Sequence, residues 1–399
     1  MTARRLTVVL GVVVVLLAGC VRSPARVEPE PLRPRWRALT LPVPPGAPGR
    51  LMLRDVVACA GRWFVVGAVA GPAGETRPAA WASVDGLSWS SVPVAASTFY
   101  GRRHVLYAAA CREGRLGALG ARGGGAHGNP RTGTWALAPD GRLREAAAPF
   151  ELYGGPRAVS VSRLVAGPGG WLVVGSRADG AAAWTSPDGE RFTLHEGVPE
   201  LAGDGRGRTI GLDAVAVPPG WLAVGAVLPP HGTATLPLAW ASADGRTWRR
   251  LALPASDGRS QAQRVALVGG AVVAVGPVRA GFGVWRAALP GGGAERIGDA
   301  GWRRVGGFGA AGTGVSSVRV LAPVGGGGLV AVTADGSGHG LWFSADAGVS
   351  WRPVVVPVAV PDGGDKAVAV TSDEDRMVLL ADDGVGARAW WAGLPAIGR

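Results

Sequence analysis

The sequence is short of the residues that most metal and catalytic sites require. It has a single lysine, Lys366, three tyrosines, three cysteines and five histidines in 399 residues. The histidines lie far apart, with no His-x-x-x-His spacing and no paired cysteines, so no metal site is predicted. No glycine-rich run carries the lysine of a phosphate-binding loop. We therefore expect the protein to work without a cofactor.

Long hydrophobic runs are also scarce. The one at the N-terminus, from about Val8 to Ala18, follows two arginines and ends at Gly19 and Cys20. A charged start, a short apolar stretch and small residues at the cleavage point are typical of a secretion signal, and the run is too short to span a bilayer. "LAGC" resembles the lipobox of bacterial lipoproteins, in which the cysteine is lipidated. An ordinary signal peptide with an incidental cysteine is the alternative.

This N-terminus predicts the domain boundaries. Residues 1–19 are expected to be a lipoprotein signal peptide, and residues 36–399 one folded body. Between them, residues 20–35 would comprise the lipidated Cys20 and a flexible tether, because the stretch is rich in proline and charge. The mature protein would then lie outside the cytoplasm as a monomer, held at the outer face of the cytoplasmic membrane by the lipid on Cys20.

The net charge of +12 comes almost entirely from arginine. A basic body near a membrane would be attracted to anionic lipid or to anionic wall polymer. The arginines form no dense run, and a genome that favours arginine, alanine, glycine and proline codons explains them equally well. Nucleic acid is not an expected partner, because the predicted location is extracytoplasmic.

Two cysteines remain in the folded body, Cys59 and Cys111. They occupy similar places in successive repeats, "DVVACAGRW" and "YAAACREGR". A disulfide is chemically allowed outside the cytoplasm, but neighbouring repeats need not bring the two Cα atoms within about 7 Å. A disulfide and two buried free thiols both fit the sequence.

Internal repetition determines the predicted fold. Seven apolar segments such as "WFVVGAV" (63–69) and "WLVVGSR" (171–177) are each followed by a segment that contains a tryptophan. These tryptophans are Trp81, Trp135, Trp184, Trp240, Trp285, Trp342 and Trp390. Each unit contains four short strands, rich in valine, alanine and tryptophan and separated by turns, and no helical periodicity is evident. Seven such units predict an all-β, seven-bladed β-propeller with four-stranded blades.

A short turn recurs between the third and fourth strands. Its copies are "SVDGLSW" (83–89), "SPDGERF" (186–192), "SADGRTW" (242–248) and "SADAGVSW" (344–351), with a worn version, "APDGRLR" (138–144), in the second unit. Serine and aspartate can accept hydrogen bonds from the turn's own backbone, the glycine supplies a left-handed conformation, and the aromatic ring packs beside the turn.

The turn resembles the Asp-box, or BNR repeat, of sialidases and related propellers. The resemblance implies a structural role, on the face away from any active site. The residues concerned are Ser83, Asp85, Gly86, Trp89, Ser186, Asp188, Gly189, Phe192, Ser242, Asp244, Gly245, Trp248, Ser344, Asp346, Gly348 and Trp351.

The ends of the folded body predict how the ring closes. The last unit has three strands and then the chain ends. "WRALTLPV" (36–43) matches "WRRLALPA" (248–255), a fourth strand. We expect residues 36–43 to complete the seventh blade, which removes the exposed edges of an open array.

A binding surface is expected on the face opposite the recurring turns. Loops between second and third strands and between blades carry arginines beside aromatic residues, which suit carboxylates, phosphates or sugars. Solvated loops in an arginine-rich protein are the alternative. The residues are Arg77, Tyr100, Arg102, Arg103, His127, Arg131, Tyr153, Arg206, Arg208, His231, Arg303 and Arg304.

Catalysis is not expected. A sialidase needs an arginine cluster, a tyrosine nucleophile with a glutamate, and an acid/base aspartate. Arg54 in "LMLRDVVA" could stand for the family's first arginine, but the Ile-Pro of that motif is absent. Tyr107 falls in an inner strand, and none of the three tyrosines lies in the last blades.

Three functions therefore stay open. The first is a non-catalytic scaffold or binding protein at the cell surface; the chain resembles propeller lipoproteins that help assemble photosystems in fold, turns and anchor alone. The second is a module that binds glycan or wall polymer. The third is a sialidase-like glycoside hydrolase.

Overall fold

Seven short antiparallel sheets surround a central channel in the computed structural model, which confirms the predicted all-β, seven-bladed propeller. The structure describes residues 29–124, 130–231, 234–255, 258–291, 293–298, 301–310, 312, 314–374 and 376–393. Cys20 and His127 lie outside these residues. Within this part of the chain, no helix has the length and apolar character needed to cross a membrane.

The N-terminal strand and the first three blades occupy residues 37–195. They comprise β1 (Arg37–Leu39); β2 (Arg50–Cys59), β3 (Arg62–Ala70), β4 (Thr76–Ser83) and β5 (Ser90–Val92) of blade 1; β6 (Val94–Ala95), β7 (Val105–Arg112), β8 (Arg115–Arg122), β9 (Arg131–Leu137) and β10 (Leu143–Glu145) of blade 2; and β11 (Ala158–Gly167), β12 (Gly170–Arg177), β13 (Gly180–Ser186) and β14 (Thr193–His195) of blade 3.

The remaining four blades occupy residues 208–393. They comprise β15 (Arg208–Val217), β16 (Gly220–Leu228), β17 (Leu236–Ser242) and β18 (Arg249–Ala252) of blade 4; β19 (Arg264–Val268), β20 (Ala271–Val278), β21 (Gly281–Ala288) and β22 (Arg303–Phe308) of blade 5; β23 (Ser317–Val324), β24 (Gly328–Ala334), β25 (His339–Ser344) and β26 (Arg352–Val354) of blade 6; and β27 (Ala367–Asp373), β28 (Arg376–Asp382) and β29 (Ala387–Gly393) of blade 7.

Short helical turns occur only in connections of the described chain. They are α1 (Phe150–Tyr153) and the 3-10 turns Gly101–Arg103, Ala294–Arg296 and Gly325–Gly327. In blade 2 the sheet has a fifth strand, because β6 pairs in parallel with β10.

The second strand of each blade explains the apolar runs in the sequence. All eight residues of β12 are buried, as are Trp63–Val69 in β3. These strands lie between two paired strands and between two neighbouring blades, so both faces of the strand exclude water.

Five of the repeated tryptophans attach their blade to the connection that leads into it, whereas Trp342 donates to Thr333 of its own blade. The indole nitrogen of Trp81 donates to the carbonyl of Pro42 at 2.7 Å, just before blade 1 begins. Trp184, Trp240 and Trp285 make the same bond to Leu152, Glu200 and Pro254. Burial of a large ring with its single polar atom satisfied is the reason for tryptophan at this position.

The ring closes as the sequence predicts. β1 pairs antiparallel with β29, in the register Arg37 to Trp391 and Leu39 to Ala389, and becomes the outer strand of blade 7. The first and last segments of the propeller therefore share one sheet.

The last part of the predicted flexible tether is held against blade 6, while residues 20–28 lie outside the described residues. Leu32 forms a parallel bridge with Val354 of blade 6, donating to the carbonyl of Pro353 and accepting from the N–H of Val355, both at 2.8 Å. The indole of Trp36 donates to the carbonyl of Val355 at 2.8 Å. Backbone pairing outweighs the proline-rich composition here, and the segment lies along the outer edge of blade 6.

A disulfide joins Cys59 to Cys111 in the structure, with their Cα atoms 5.9 Å apart. The two residues lie near the ends of β2 and β7, the innermost strands of blades 1 and 2. First strands of adjacent blades approach each other around the channel, which brings equivalent positions within bonding range.

Candidate functional site

Strand direction divides the ring into two faces. The first strand of each blade begins at what we call the loop face, formed by the second-to-third-strand loops and by the blade connections. It ends at the turn face, formed by the first hairpins and by the turns between third and fourth strands. The recurring serine–aspartate turns and the predicted binding loops therefore lie on opposite faces.

The four serine–aspartate turns share one hydrogen-bond pattern. In blade 6 the Ser344 hydroxyl donates to Asp346 Oδ1 at 2.8 Å and accepts from the N–H of Gly348 at 2.9 Å. Asp346 Oδ1 accepts from the N–H of Ser350 at 2.9 Å, and the Trp351 indole donates to the carbonyl of Gly348 at 3.0 Å. Ser83–Trp89, Ser186–Phe192 and Ser242–Trp248 repeat the pattern, except that Phe192 has no indole donor.

The turn aspartates are held as carboxylates. Hydrogen bonds from the N–H groups of Ser88 and Leu87, and from the Ser83 hydroxyl, lower the pKa of Asp85 to about 2. Backbone N–H donors likewise lower the pKa of Asp188 and of Asp244, although burial opposes the shift in both. These carboxylates accept hydrogen bonds from their own turns, which leaves them poorly suited to proton transfer.

The central channel is lined by charged and polar side chains of the inner strands, which are otherwise largely apolar. In β2, β7, β11, β15 and β23 a β-bulge interrupts the pairing at the same place. A bulge re-aims side chains, and the residues at or just after it are polar in each strand. They are Arg54, Asp55, Tyr107, Arg163, Asp213 and Arg319.

Arg163 is the centre of a buried network. Its Nη1 lies 2.9 Å from Asp55 Oδ2, and its Nε lies 3.9 Å from Asp213 Oδ1. Asp55 Oδ2 also accepts from the N–H of Ala109 in blade 2 at 2.9 Å. Asp213 Oδ2 accepts from the N–H of Val265 in blade 5 at 3.1 Å. Each aspartate thus links its own blade to the next.

Burial shifts the proton affinities in this network. It raises the pKa of Asp213, against the opposing charges of Arg264 and Arg163. Although burial opposes it, the Asp55 and Asp213 carboxylates together raise the pKa of Arg163. Burial also raises the pKa of Tyr107, whose hydroxyl donates to the carbonyl of Val161 at 2.8 Å.

A cavity of about 250 Å³ lies in the channel beside this network. His339, Asp362 and Gly363 line it, and since all three precede or begin strands at the loop face, the cavity lies toward that face. Its cations are Arg54, Arg163, Arg264, Arg319 and Lys366. They come from blades 1, 3, 5 and 6 and from the connection into blade 7.

Arg264 differs from the other arginines of the cavity. Arg54 contacts Asp382 at 2.5 Å and Asp365 at 2.7 Å, and Arg319 contacts Asp362 at 3.4 Å. Arg264 donates only to carbonyl groups, those of Arg319 and Gln263, at 2.7 Å each, and within the described chain it has no carboxylate within 4 Å. Burial lowers its pKa to about 10, partly offset by Asp213. Among the described residues it is a half-buried cation without a paired anion.

A second cleft of about 320 Å³ lies at the loop-face rim of blade 2. The guanidinium of Arg131 stacks on Phe150, 4.1 Å from the ring centroid, and lies 5.2 Å from the ring of Tyr100. Arg103 lies 3.9 Å from the centroid of Phe99. Phe99 and Phe150 are 56% and 50% exposed. Arginines and open rings alternate along this rim.

The structure gathers only part of the predicted binding set. Tyr100 and Arg131 line the blade 2 cleft, and Arg102 and Arg103 lie in the connection beside it. Tyr153 lines the cleft but is buried beside Trp184. His127 lies outside the described residues.

The other predicted residues are dispersed. Arg77 donates to the carbonyls of Pro44 and Ala47, which fixes the connection into blade 1. Arg206 pairs with Asp204 at 2.7 Å. Arg208 and His231 lie on blade 4.

Arg303 and Arg304 require a correction. Their sequence context predicts a long loop of the binding face, but they form the start of β22, the outer strand of blade 5. Trp302 occupies the place just before the outer strand that Trp248 and Trp351 occupy in their blades, so this end of the strand belongs to the turn face. Because blade 5 lacks the serine–aspartate motif, the sequence does not show that Trp302 is equivalent to Trp248 and Trp351.

The sequence does not predict the central network as a site. Arg54 and Tyr107 enter the sequence analysis only as separate candidates for sialidase residues. A detectable signal exists: charged residues interrupt the largely apolar segments "LRDVVA", "VSRLVA", "GLDAVA" and "QRVALV". Aligned by repeat, Asp55, Arg163, Asp213 and Arg264 occupy the same position. In a ring, equivalent positions of inner strands face one channel.

No group of three or more His, Cys, Asp or Glu side chains suited to a metal ion occurs among the described residues. The arrangement can bind and orient an anionic group. Its carboxylates are already engaged by arginine and by backbone N–H donors.

Comparison with known proteins identifies the architecture alone. No family model matches the chain, and no curated protein matches it. Among solved structures it is similar to YCF48 from Cyanidioschyzon merolae, with a TM-score of 0.51 and 14% identity over 90% of this chain and 98% of that one. A puromycin-hydrolyzing peptidase from Mycobacterium tuberculosis gives a TM-score of 0.51 and 13% identity over 91% of this chain and 58% of that one. At such identities the similarity extends to the β-propeller fold and no further.

Proposed function

We propose that the protein is a lipid-anchored, extracytoplasmic β-propeller that binds an anionic ligand at the cell surface and catalyses no reaction. The anchor rests on the signal-like N-terminus and its "LAGC" stretch. The structural role of the turns rests on their likeness to Asp-boxes. The loop face is proposed as the binding surface.

The observation that carries the proposal is the cationic cavity on the channel axis. Four arginines and Lys366 line it, and Arg264 has no anionic partner there. A carboxylate or phosphate group entering from the loop face would supply the missing charge, and guanidinium groups bind such anions through paired N–H donors. This favours a glycan or wall polymer with acidic groups as the ligand.

The same geometry supports binding rather than hydrolysis. Retaining glycosidases need two free carboxyl groups about 5–5.5 Å apart, or a tyrosine activated by a glutamate. Here Asp55 and Asp213 both interact with Arg163. The Tyr107 hydroxyl is engaged with a carbonyl, and its raised pKa disfavours the nucleophilic phenolate.

A scaffold role is the second candidate, and the blade 2 rim favours it. Exposed Phe99 and Phe150 stand beside Arg103 and Arg131. Aromatic and arginine side chains dominate the energetics of protein interfaces. Crosslinking in the native cells should then capture one protein with the wild type, and capture should fall with Phe150→Ala.

Titration calorimetry tests the proposed ligand class. The Cys20→Ala chain, collected outside the cells, is titrated with glucuronate, N-acetylneuraminate and inorganic phosphate. We expect at least one to bind, and Arg264→Gln to weaken its binding by about tenfold or more. Arg115→Gln, an arginine at the turn-face end of blade 2, serves as the matched control and should change nothing. Binding unaffected by Arg264→Gln, or none of the three binding, would contradict the proposal.

Two further measurements test the remaining parts. Cys20→Ala should move the protein from the membrane fraction to the medium, and continued membrane retention would refute the lipid anchor. Incubation with 4-nitrophenyl glycosides should give no turnover. Turnover that disappears in Asp55→Asn would show that the protein is an enzyme.

A further inference from the structure

The rim of the ring beside the N-terminal segment carries a concentrated basic surface. Arg33, Arg35 and Arg37 are exposed, and with Leu32 and Trp391 they line a groove of about 480 Å³. Arg352 and Arg376, at the starts of β26 and β28, adjoin it. We call these five arginines, with Trp36 and Trp391, the anchor-side patch.

The arginines of the patch have little internal neutralisation. Among the described residues, none of the five lies within 4 Å of a carboxylate. Arg37 and Arg376 instead lie over the ring of Trp391, at 5.3 and 5.8 Å from its centroid. Glu30 is the acidic residue of the same segment, and its backbone carbonyl accepts from Arg352 at 3.0 Å.

The patch also has a defined position. β1 begins and β29 ends at the turn-face side of blade 7, and Arg352 directly follows the turn residue Trp351. The patch therefore lies where the outer rim meets the turn face. Eight residues, 21–28, separate Cys20 from the first described residue, and such a segment spans at most about 30 Å. A lipid on Cys20 would keep this rim close to the bilayer.

We propose that the anchor-side patch docks on anionic phospholipid headgroups. The proposal rests on the lipid anchor of the proposed function. A basic surface adds an electrostatic contribution to the attachment that a lipid anchor gives, and each arginine near an anionic bilayer adds to the attraction. Tryptophan side chains such as Trp36 and Trp391 suit the headgroup region because they are both apolar and able to donate a hydrogen bond.

Docking through this patch sets the orientation of the propeller. The turn-face edge of blades 6 and 7 would lie against the bilayer, and the loop face would be directed away from it. The cationic cavity and the blade 2 cleft would then be open to ligands from outside the cell.

Vesicle co-sedimentation tests the docking. The Cys20→Ala chain removes the lipid but keeps the patch, and it is mixed with vesicles of phosphatidylcholine alone or of equal parts phosphatidylcholine and phosphatidylglycerol. We expect binding only to the anionic vesicles, and weaker binding as salt rises. The triple variant Arg33→Gln, Arg35→Gln, Arg37→Gln should bind at least about tenfold more weakly.

The control removes equal charge elsewhere. Arg157→Gln, Arg259→Gln, Arg279→Gln alters three exposed arginines of the loop face, opposite the turn face, and should bind the vesicles like the parent. Equal losses in both triple variants, or no binding to anionic vesicles by the parent, would overturn the proposal. Melting temperatures of both variants exclude unfolding as the cause. The lipid anchor is judged separately, by whether Cys20→Ala leaves the membrane, so the two failures are distinguishable.

Discussion

The guanidinium of Arg163, in blade 3, lies 2.9 Å from the carboxylate of Asp55, in blade 1, although a whole blade separates their strands around the ring. The same guanidinium reaches to 3.9 Å from Asp213 of blade 4. One side chain connects three blades across the channel, and two buried carboxylates share it as a counter-charge.

Replacing Arg163 by methionine should therefore destabilise the fold strongly. Asp55 would stay buried without the cation that it contacts at 2.9 Å, and Asp213 would keep only the more distant Arg264. Breaking a buried ion pair from one side costs about 3–5 kcal/mol. Denaturant unfolding monitored by tryptophan fluorescence measures the loss. Arg115→Met alters a side chain that is 45% exposed and should shift the free energy of unfolding by less than about 0.5 kcal/mol. Similar losses in the two variants would show that the channel network is not special.

The serine–aspartate turns should contribute stability in proportion to their intact hydrogen bonds. Asp346 accepts from the Ser344 hydroxyl and from the N–H and hydroxyl of Ser350. Asp346→Ala is expected to cost about 1 kcal/mol. In the worn turn of blade 2, Asp140 accepts one backbone N–H, from Arg142 at 3.1 Å, and Asp140→Ala should cost less. Thermal unfolding of both variants measures the two losses. An unchanged unfolding midpoint for Asp346→Ala would mean that the turn does not stabilise the hairpin.

Acid should weaken the fold through the same turns. The pKa of Asp85 is about 2 in the folded chain, against about 3.9 in an unfolded one. Since folding lowers this pKa, the stabilisation is complete above the unfolded value and is lost as the pH falls toward about 2. The free energy of unfolding should decline across that window, and Asp85→Asn should decline less steeply. Parallel curves for the two proteins would rule out this contribution.

Deletions along the N-terminus should have graded effects. Removing 36–43 takes away β1 and the buried Leu41, and should cost about 3 kcal/mol or more. Removing 29–35 breaks the bridge at Leu32 and should cost less. Removing 21–28 should leave the melting temperature unchanged. Equal melting temperatures for the first and last deletions would contradict closure of the ring by β1.

The repeat made the fold predictable, since each blade repeats strand, turn and tryptophan at matching intervals. Closure was predictable too, because residues 36–43 resemble an existing fourth strand. Two errors have a physical cause. Residues 29–35 look like a tether because proline-rich composition does not reveal backbone pairing to blade 6. Arg303 and Arg304 look like loop residues because blade 5 lacks the turn that marks its outer strand.

The candidate site was harder to predict than the fold. Loop residues such as Arg131 are predicted from residue type alone, and residue type gives no information on the distances between side chains. The network around Arg163 depends on bulges in separate strands that turn Asp55, Arg163 and Asp213 toward one axis. Which charges meet there is set by the closing of the ring, a property of all seven blades together.

The pairing of β1 with β29 also orders the events of folding. Because nearly the whole chain separates these strands, pairing them closes a very long loop, and the conformational entropy of that closure is lost in a single step. If export starts from the N-terminus, Arg37–Leu39 crosses the membrane first and waits for Ala387–Gly393, which crosses last. Until then the seventh sheet has an open edge that other strands could join. A chain that is truncated before Ala387–Gly393 therefore lacks the partner of β1 and cannot complete the ring.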